Sequence, residues 1–347
     1  MELTIYVRFP EEKEICTNVL NQLGCYNANI KILKYDTNLG SKLTEIFRRK
    51  KTVHRKKAYL RHNVRHFEKL DALIVAERTS TYLRNLSDSL PPLIHIPHGA
   101  GDRAKSYDPR IKKYDYVLVA GEKDQRRMIN DNLTTAAKCY VTGYIKPFAV
   151  RRMDMPLPQL FKNKNPIVLY NAHFDHELSS WPKFGEGLLK AFSNKKNMNF
   201  IFAPHIRLFE YVSENIRQRL EAYGQFENIH IDLGSARSSD MTYTRSADIY
   251  LGDVSSQVYE FLSRPKPCVF IGDKDVEWED NSDYAHWKYG EVCHDIEATL
   301  KALDAAHSTH RQFVSIQKDG VRDATGDPHW NPIQRAADVV MSIIMKA

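Results

Sequence analysis

Short runs of apolar residues recur along this sequence and alternate with segments in which apolar residues are spaced three or four positions apart. Buried strands of a parallel sheet are near-continuous apolar runs, whereas the wider spacing is typical of helices with one buried face. A helix is predicted over residues 11–23, because Ile15, Val19 and Leu23 share one face. In the first half of the chain, the predicted strands cover residues 3–9, 30–33, 73–76, 93–96, 116–120 and 140–142. This alternation predicts an open parallel sheet flanked by helices.

The same alternation resumes after a segment of different composition. Residues 143–166 contain four prolines and few periodic apolar residues, which is typical of a linker. Further strands are predicted at residues 167–170, 200–202, 229–233, 249–251 and 268–271, and helices at residues 209–223, 257–263 and 331–347. The predicted organisation is an N-terminal Rossmann-like domain (1–150), a linker (151–166), a C-terminal Rossmann-like domain (167–330) and a last helix (331–347). Two such α/β domains are expected to face a cleft between the carboxyl edges of their sheets.

Charge is concentrated in one element near residues 41–70. Between Lys42 and Lys69 there are eleven Lys or Arg and two acidic residues, although the net charge of the whole chain is only +7. This segment is predicted as an amphipathic helix with a narrow apolar stripe formed by Leu43, Ile46, Val53, Leu60, Val64 and Phe67. Its cationic face either binds an anionic membrane surface or a polyanionic acceptor, or is simply solvated. Nucleic acid is a weaker alternative, because no aromatic platform accompanies the charges.

Composition indicates a globular protein of a reducing compartment. Of the 347 residues, 42% are hydrophobic and 27% are charged, and no segment approaches the roughly 20 apolar residues that would span a bilayer. The five cysteines are not closely paired, and Cys16, Cys139 and Cys268 lie in or beside apolar runs. No secretory signal is recognisable in the first fourteen residues. The expected location is therefore the cytoplasm, with the inner face of the cell membrane as the alternative if the basic helix binds lipid.

The stretch from 247 to 270 carries the clearest candidate site. Its predicted strand at 249–251 leads into Gly-Asp-Val-Ser-Ser and then into a predicted helix. Ser255 and Ser256 stand where that helix begins, where backbone amides and the helix dipole favour an anion such as phosphate or diphosphate. Glu260 follows Ser256 by about one helical turn and can accept hydrogen bonds from ribose hydroxyls. The alternative interpretation is that Ser255 is only a helix cap and Glu260 a solvated carboxylate.

Two histidines follow predicted strands at equivalent places in the two halves. His98 and Gly99 follow the strand at 93–96, and His205 follows the strand at 200–202. Glycine permits a tight turn at a carboxyl edge, where open α/β sheets bind ligands. One imidazole there could take a proton from an acceptor hydroxyl, and the other could stabilise a phosphate oxygen.

The fourteen histidines give little support for a metal site. The spacings Cys-x-x-Cys and His-Glu-x-x-His do not occur. His173 and His176 lie beside Asp175 and Glu177 and form the remaining candidate ligand set. No metal and no cofactor are predicted.

These residues resemble a known family. The motif formed by Asp253, Ser255, Ser256 and Glu260, followed by Lys266 and Pro267, resembles the Asp-x-Ser-Ser and Lys-Pro block of the CDP-glycerol glycerophosphotransferases, the teichoic-acid primases and polymerases. His98-Gly99 resembles the family's His-Gly motif, and His205 stands at the place of its second histidine. The resemblance begins near residue 93 and extends almost to the C-terminus.

The resemblance implies a GT-B-like fold with a nucleotide-activated donor bound mostly by the second domain. It implies that His98 is the base, that His205 is catalytic, that Ser255 and Ser256 contact the donor phosphates, and that Glu260 lies near the ribose. Gly99 and Asp253 belong to the matched motifs and complete the predicted nucleotide site. Ala203 replaces an expected arginine two residues before His205, and Arg207 is the residue that could compensate.

The expected activity is transfer of glycerol phosphate, or a related polyol phosphate, from a CDP-linked donor to a hydroxyl of a cell-surface glycan or its lipid-linked precursor. Several family positions are substituted in the loops expected to contact substrate. The first alternative is therefore a GT-B glycosyltransferase that uses a nucleotide-sugar donor. The second is an inactive nucleotide-binding scaffold in capsule or glycan assembly.

Overall fold

The computed structural model describes residues 2–7, 29–34, 45–96, 99–103, 106–152 and 156–346. The helix predicted over residues 11–23, the predicted base His98 and two of the cysteines, Cys16 and Cys25, lie outside these ranges.

Twelve strands and ten α-helices make up the described part of the chain. The strands are β1 Glu2–Val7, β2 Asn29–Lys34, β3 Ala72–Val75, β4 Leu93–His95, β5 Tyr116–Val119, β6 Cys139–Val141, β7 Ile167–Asn171, β8 Asn199–Phe202, β9 Ile229–Ile231, β10 Ile249–Gly252, β11 Cys268–Ile271 and β12 Glu291–Cys293. The helices are α1 Glu45–Phe67, α2 Glu122–Asn130, α3 Ile145–Arg152, α4 Glu186–Asn194, α5 Glu214–Glu221, α6 Thr242–Ser246, α7 Gln257–Phe261, α8 Ile296–Thr309, α9 Val314–Thr325 and α10 Pro332–Ile344. Short 3-10 or π turns lie at Arg78–Asn85, Pro109–Lys113, Trp181–Gly185, Ala222–Gln225, Ala236–Ser238, Ser282–Tyr289 and His310–Gln312.

The chain divides into two compact units that do not follow the sequence strictly. Unit 1 consists of Met1–Ala100, Tyr107–Arg152 and Asp323–Ala347, and unit 2 consists of Gly101–Ser106 and Met153–Arg322. The C-terminal helix α10 therefore belongs to unit 1. The short segment Gly101–Ser106 belongs to unit 2, although the residues before and after it belong to unit 1.

Unit 1 is a parallel sheet with the strand order β2-β1-β3-β4-β5-β6. The side chains of β3, β4 and β5 alternate between two apolar layers, as a pleated strand requires. Ile74, Ile94 and Leu118 pack with α3 and α10 on one face. Leu73, Val75, Leu93, Val117 and Val119 pack on the other face with Leu60 and Phe67 of α1. Both faces are covered, which explains why these strands are near-continuous apolar runs.

Unit 2 is a second parallel sheet, with the strand order β12-β11-β10-β7-β8-β9. Read from β9, this is the order 3-2-1-4-5-6 of the Rossmann fold. Apolar side chains of β7, β8, β10 and β11 form one core with Leu188 and Phe192 of α4 and Leu303 of α8. The strand order changes direction between β7 and β10, and open α/β sheets bind ligands at the carboxyl ends of the strands at such a point.

The structure corrects three sequence predictions. The segment 143–166 is not wholly a linker, because α3 occupies Ile145–Arg152 within it. Pro147 is tolerated there since it lies in the first turn, whose backbone N–H groups have no partner within the helix. The predicted helix at 209–223 begins only at Glu214, and the predicted helix at 257–263 ends at Phe261.

The basic helix is confirmed as α1, Glu45–Phe67, and part of its charge is used within unit 1. Lys56 is buried and forms an ion pair with Glu77. The Arg61 guanidinium donates to the Tyr82 hydroxyl at 2.7 Å, and the Lys57 ammonium lies 5.0 Å from the centre of the Tyr82 ring. In the part of the chain that the structure describes, every helix is too short or too polar to cross a bilayer.

Candidate functional site

The carboxyl ends of β7, β8 and β10, three adjacent strands of unit 2, carry the predicted site residues. Asp253, Ser255 and Ser256 follow β10, and His205 follows β8. The loops are tied to one another by backbone contacts. The His205 N–H donates to the Ala172 carbonyl at 2.9 Å, and the His173 N–H donates to the Asp253 carboxylate at 3.0 and 3.1 Å. These hydrogen bonds fix the three strand ends as one polar edge at the switch point.

Asp253 holds the loop after β7. Asp253 is 1% exposed. Besides the His173 N–H, its carboxylate accepts from the Ser180 N–H at 2.7 Å, from the Ser180 hydroxyl at 2.8 Å and from the Val254 N–H at 2.7 Å. Burial raises the pKa of the Asp253 carboxyl, and these hydrogen bonds oppose that shift. The predicted nucleotide-binding Asp253 is therefore engaged with the protein itself and positions the loops around it.

The two predicted serines have different surroundings. Ser255 is 3% exposed, and its hydroxyl accepts a long hydrogen bond, 3.4 Å, from the Gln257 N–H. Ser256 is half-buried, does not cap α7 with its side chain, and has no hydrogen-bond partner for its hydroxyl among the described residues. Helix α7 spans only Gln257–Phe261, so the helix dipole expected from the sequence is small. Ser256 is thus the more accessible donor of the pair.

His205 and His173 are fixed in the same tautomer by the same local geometry. The Arg207 N–H donates to His205 Nδ1 at 3.2 Å, and the Asp175 N–H donates to His173 Nδ1 at 3.0 Å. Because each Nδ1 accepts, each ring carries its hydrogen on Nε2 and can donate from that atom. The two ring centres are 5.8 Å apart. The site therefore contains two neighbouring imidazole N–H donors, only one of which was predicted.

Phe174 lies at the centre of the cationic part of the site. The rings of His173 and His205 lie 4.3 and 4.6 Å from its centre, and the Arg207 guanidinium carbon lies 4.0 Å from it. When a guanidinium lies over an aromatic face, its N–H groups point outward in the plane of the guanidinium. They can therefore still bind an anion. The predicted Arg207 is therefore beside the predicted His205, whereas Phe174 was not predicted.

The remaining predicted site residues are Glu260, Gly99 and His98. Glu260 is 5% exposed on α7, next to the polar turn. Gly99 is a half-buried residue of unit 1. His98 lies outside the described residues. Within the described ranges, no group of three His, Cys, Asp or Glu side chains is arranged to hold a metal ion, and this includes His173 and His176.

A buried polar network behind the site was not predicted. The Asp102 carboxylate accepts from the Tyr259 hydroxyl at 2.8 and 2.9 Å and lies 2.7 Å from His286 Nδ1. His286 Nε2 and Trp287 Nε1 both donate to the Asp253 carbonyl, at 2.8 and 2.9 Å. Burial and the Asp102 carboxylate raise the pKa of Tyr259, so the phenol remains a donor. The network connects the segment Gly101–Ser106 to α7 and to the end of β10.

Comparisons with known proteins give similarity of fold without similarity of sequence. No family model matches the chain, and no curated protein matches it. A putative UDP-N-acetylglucosamine 2-epimerase from Listeria monocytogenes is similar in structure with a TM-score of 0.69 and 14% identity, over 100% of this chain and 97% of that one.

Two further solved structures are similar over almost the whole chain. The UDP-GlcNAc 2-epimerase from Neisseria meningitidis bound to UDP-GlcNAc has a TM-score of 0.65 and 14% identity, over 100% of both chains. The wall teichoic acid polymerase TagF has a TM-score of 0.65 and 13% identity, over 99% of this chain and 89% of that one. The predicted fold class, an α/β chain with two Rossmann-like parallel sheets of the GT-B-like type, is confirmed.

Proposed function

We propose that the carboxyl edge of β7, β8 and β10 in unit 2 binds the phosphates of a nucleotide-activated donor. The observation that carries this proposal is the set of donors at that edge: the Nε2 atom of His205, the Arg207 guanidinium and the Ser256 hydroxyl. Such donors, fixed in place before the ligand arrives, stabilise negative charge where water is partly excluded. One of the similar structures supports a nucleotide ligand, since the Neisseria meningitidis epimerase is bound to UDP-GlcNAc.

The chain is, in this proposal, a transferase that moves glycerol phosphate or a related polyol phosphate from a CDP-linked donor to a hydroxyl of a glycan or lipid-linked precursor. The acceptor oxygen attacks the donor phosphorus that carries the polyol, and His98 takes the hydroxyl proton. The bond from that phosphorus to the bridging oxygen breaks, and CMP leaves with the electron pair. His205, Ser256 and Arg207 stabilise the charge that develops on the phosphoryl oxygens.

The other predicted residues have supporting parts in this proposal. Asp253 positions the loop that carries His173 through its buried hydrogen bonds. Glu260 accepts from the ribose hydroxyls, and Gly99 provides the backbone turn beside His98. Ser255 contributes mainly to the shape of the turn, because its hydroxyl is buried.

A nucleotide-sugar donor is the second candidate. It is favoured by the TM-scores, which are as high for the UDP-GlcNAc 2-epimerases as for the polymerase. In a glycosyltransferase with this site, the acceptor oxygen would attack a sugar carbon, and the whole nucleoside diphosphate would leave. The same phosphate-binding edge would serve both reactions, so the released nucleotide distinguishes them.

The test is to incubate the full chain separately with CDP-glycerol, CDP-ribitol and UDP-GlcNAc, each with a lipid-linked glycan, and to identify the nucleotide released. Release of CMP, dependent on acceptor, is the expected result, and release of UDP would favour the second candidate. His98→Ala should abolish turnover and leave donor binding largely unchanged. His307→Ala, which removes an exposed histidine on α8, is the matched control and should retain activity. Absence of nucleotide binding and of turnover with all three donors would contradict the proposal.

A further inference from the structure

We infer that Arg103 is an additional ligand of the donor phosphates, brought to the unit 2 site by the segment Gly101–Ser106. This inference rests on the proposed function, because it names a further contact with the same nucleoside diphosphate. Arg103 precedes the C-terminal domain by more than fifty residues in sequence, yet it belongs to unit 2 in the structure.

The segment is held on unit 2 by the buried network around Asp102. Asp102, Tyr259 and His286 are 3%, 1% and 1% exposed, and all three are joined by hydrogen bonds shorter than 3 Å. Because Asp102 immediately precedes Arg103, this anchor fixes the point from which the arginine side chain extends. The same network ends on the Asp253 carbonyl, directly before the serine turn.

Gly101 lies directly against the serine turn. A Cβ atom built on Gly101 would lie 3.2 Å from the Ser256 Cβ and 4.0 Å from its hydroxyl oxygen. The backbone of the segment and the half-buried serine are therefore neighbours, with no side chain between them. A Cβ atom at this position would require Ser256 to move by a few tenths of an ångström.

The Arg103 guanidinium extends toward Phe174, on which Arg207 is also stacked. Its central carbon lies 5.8 Å from the Phe174 ring centre, compared with 4.0 Å for Arg207. Burial lowers the pKa of the Arg103 guanidinium, and the carboxylates of Asp175, Asp253 and Asp283 oppose that shift. Among the described residues, no carboxylate forms an ion pair with Arg103, and its Nη1 atom has no acceptor.

A half-buried guanidinium with unused N–H groups is suited to an oxyanion with several acceptor atoms. Two arginines around one ring, with His205 and Ser256 beside them, provide more donors than a single phosphate needs. The expected ligand class is therefore a nucleoside diphosphate or its ester, bound more tightly than the corresponding monophosphate. A purely structural Arg103, stacked on Phe174 and balancing the three carboxylates, would not produce that distinction.

Isothermal titration of the full chain tests this inference with CDP, UDP, cytidine and uridine as ligands. Loss of a charge-assisted hydrogen bond costs roughly 10- to 100-fold in affinity. Arg103→Met should weaken binding of the preferred nucleoside diphosphate by about that factor, and leave binding of its nucleoside nearly unchanged. Arg103→Lys keeps the charge and should lose less. Arg311→Met, on an exposed turn of the same unit, is the matched control and should bind as the wild type does.

The outcomes separate this inference from the proposed function. If the wild type binds a nucleoside diphosphate and Arg103→Met binds it equally well, the inference is wrong and the proposed function stands. Equal losses for the diphosphate and the nucleoside would show a structural role and also overturn the inference. If the wild type binds neither CDP nor UDP, both are overturned. Unfolding curves of Arg103→Met and of the milder Arg103→Lys distinguish a binding defect from a folding defect.

Discussion

Ser255 and Ser256 are adjacent and chemically identical, but they are buried to different degrees. Ser255 is buried at 3% exposure, whereas Ser256 is half-buried, next to Gly101, with an unused hydroxyl. Hydroxyl groups contribute to phosphate binding only where the donor can reach the ligand. At the scale of single residues, the two serines of the polar turn therefore differ in how accessible their hydroxyl groups are.

This asymmetry predicts different effects of two alanine substitutions. Ser256→Ala should weaken CDP or UDP binding by about 10-fold or more, because it removes one hydrogen bond to a charged group. Ser255→Ala should cost about 1 kcal/mol or less of stability and change nucleotide affinity little, since it removes only a weak cap. Titration and urea unfolding of both variants measure the two effects. Equal losses of affinity would contradict the distinction.

At the scale of elements, the site depends on pieces that are distant in sequence. His286 and Asp102 are separated by 184 positions, and Tyr259 and Asp102 by 157. His286 Nε2 donates to the Asp253 carbonyl at 2.8 Å, and His286 Nδ1 lies 2.7 Å from the Asp102 carboxylate. Removing either partner leaves the other buried polar group without a hydrogen-bond partner, and this lowers the stability of the folded state.

Asp102→Ala is therefore expected to destabilise unit 2 by about 3–5 kcal/mol, because His286 and Tyr259 lose their buried acceptor. Urea unfolding followed by circular dichroism measures the loss. Asp319→Ala, on the exposed surface of α9, is the control and should change stability by less than about 0.5 kcal/mol. A loss for Asp102→Ala no larger than that of the control would show that the network does not hold the segment.

Most strands of both units could be predicted, because a buried parallel strand is recognisable from its own apolar residues. Runs such as Val168–Leu169–Tyr170 are apolar on both faces, as buried parallel strands must be. The strand β12 was missed because Glu291 on it is polar and exposed, so the strand is not a continuous apolar run. His173 could have been found by the rule that identified His205, since both follow a strand at its carboxyl end.

Arg103, Asp102 and His286 could not be found in this way. Their neighbours Phe174, Tyr259 and Asp253 lie far away in sequence, and their positions depend on how unit 2 folds. The predicted end of α7, residue 263, was wrong. Pro265 disfavours helical geometry at Arg264, and α7 already ends at Phe261, three residues before Arg264.

At the scale of the whole molecule, fold similarity extends along nearly the entire chain, although sequence identity to the similar structures is only 13–14%. Cores tolerate extensive substitution when volume and patterning are kept, so two Rossmann-like sheets persist without a recognisable sequence match. In the proposed function, the reaction is set by the few residues at the β7, β8 and β10 edge. The reaction can therefore differ among proteins that share this architecture.

The most direct test of the account is a crystal structure of the full chain with CDP or UDP, whichever binds more tightly. We expect the terminal phosphate to lie at the β7 and β10 switch point, with its oxygens about 3 Å from the Ser256 hydroxyl and from His205 Nε2. A nucleotide bound elsewhere on the chain, with Ser256, His205 and Arg207 free of phosphate, would contradict the account.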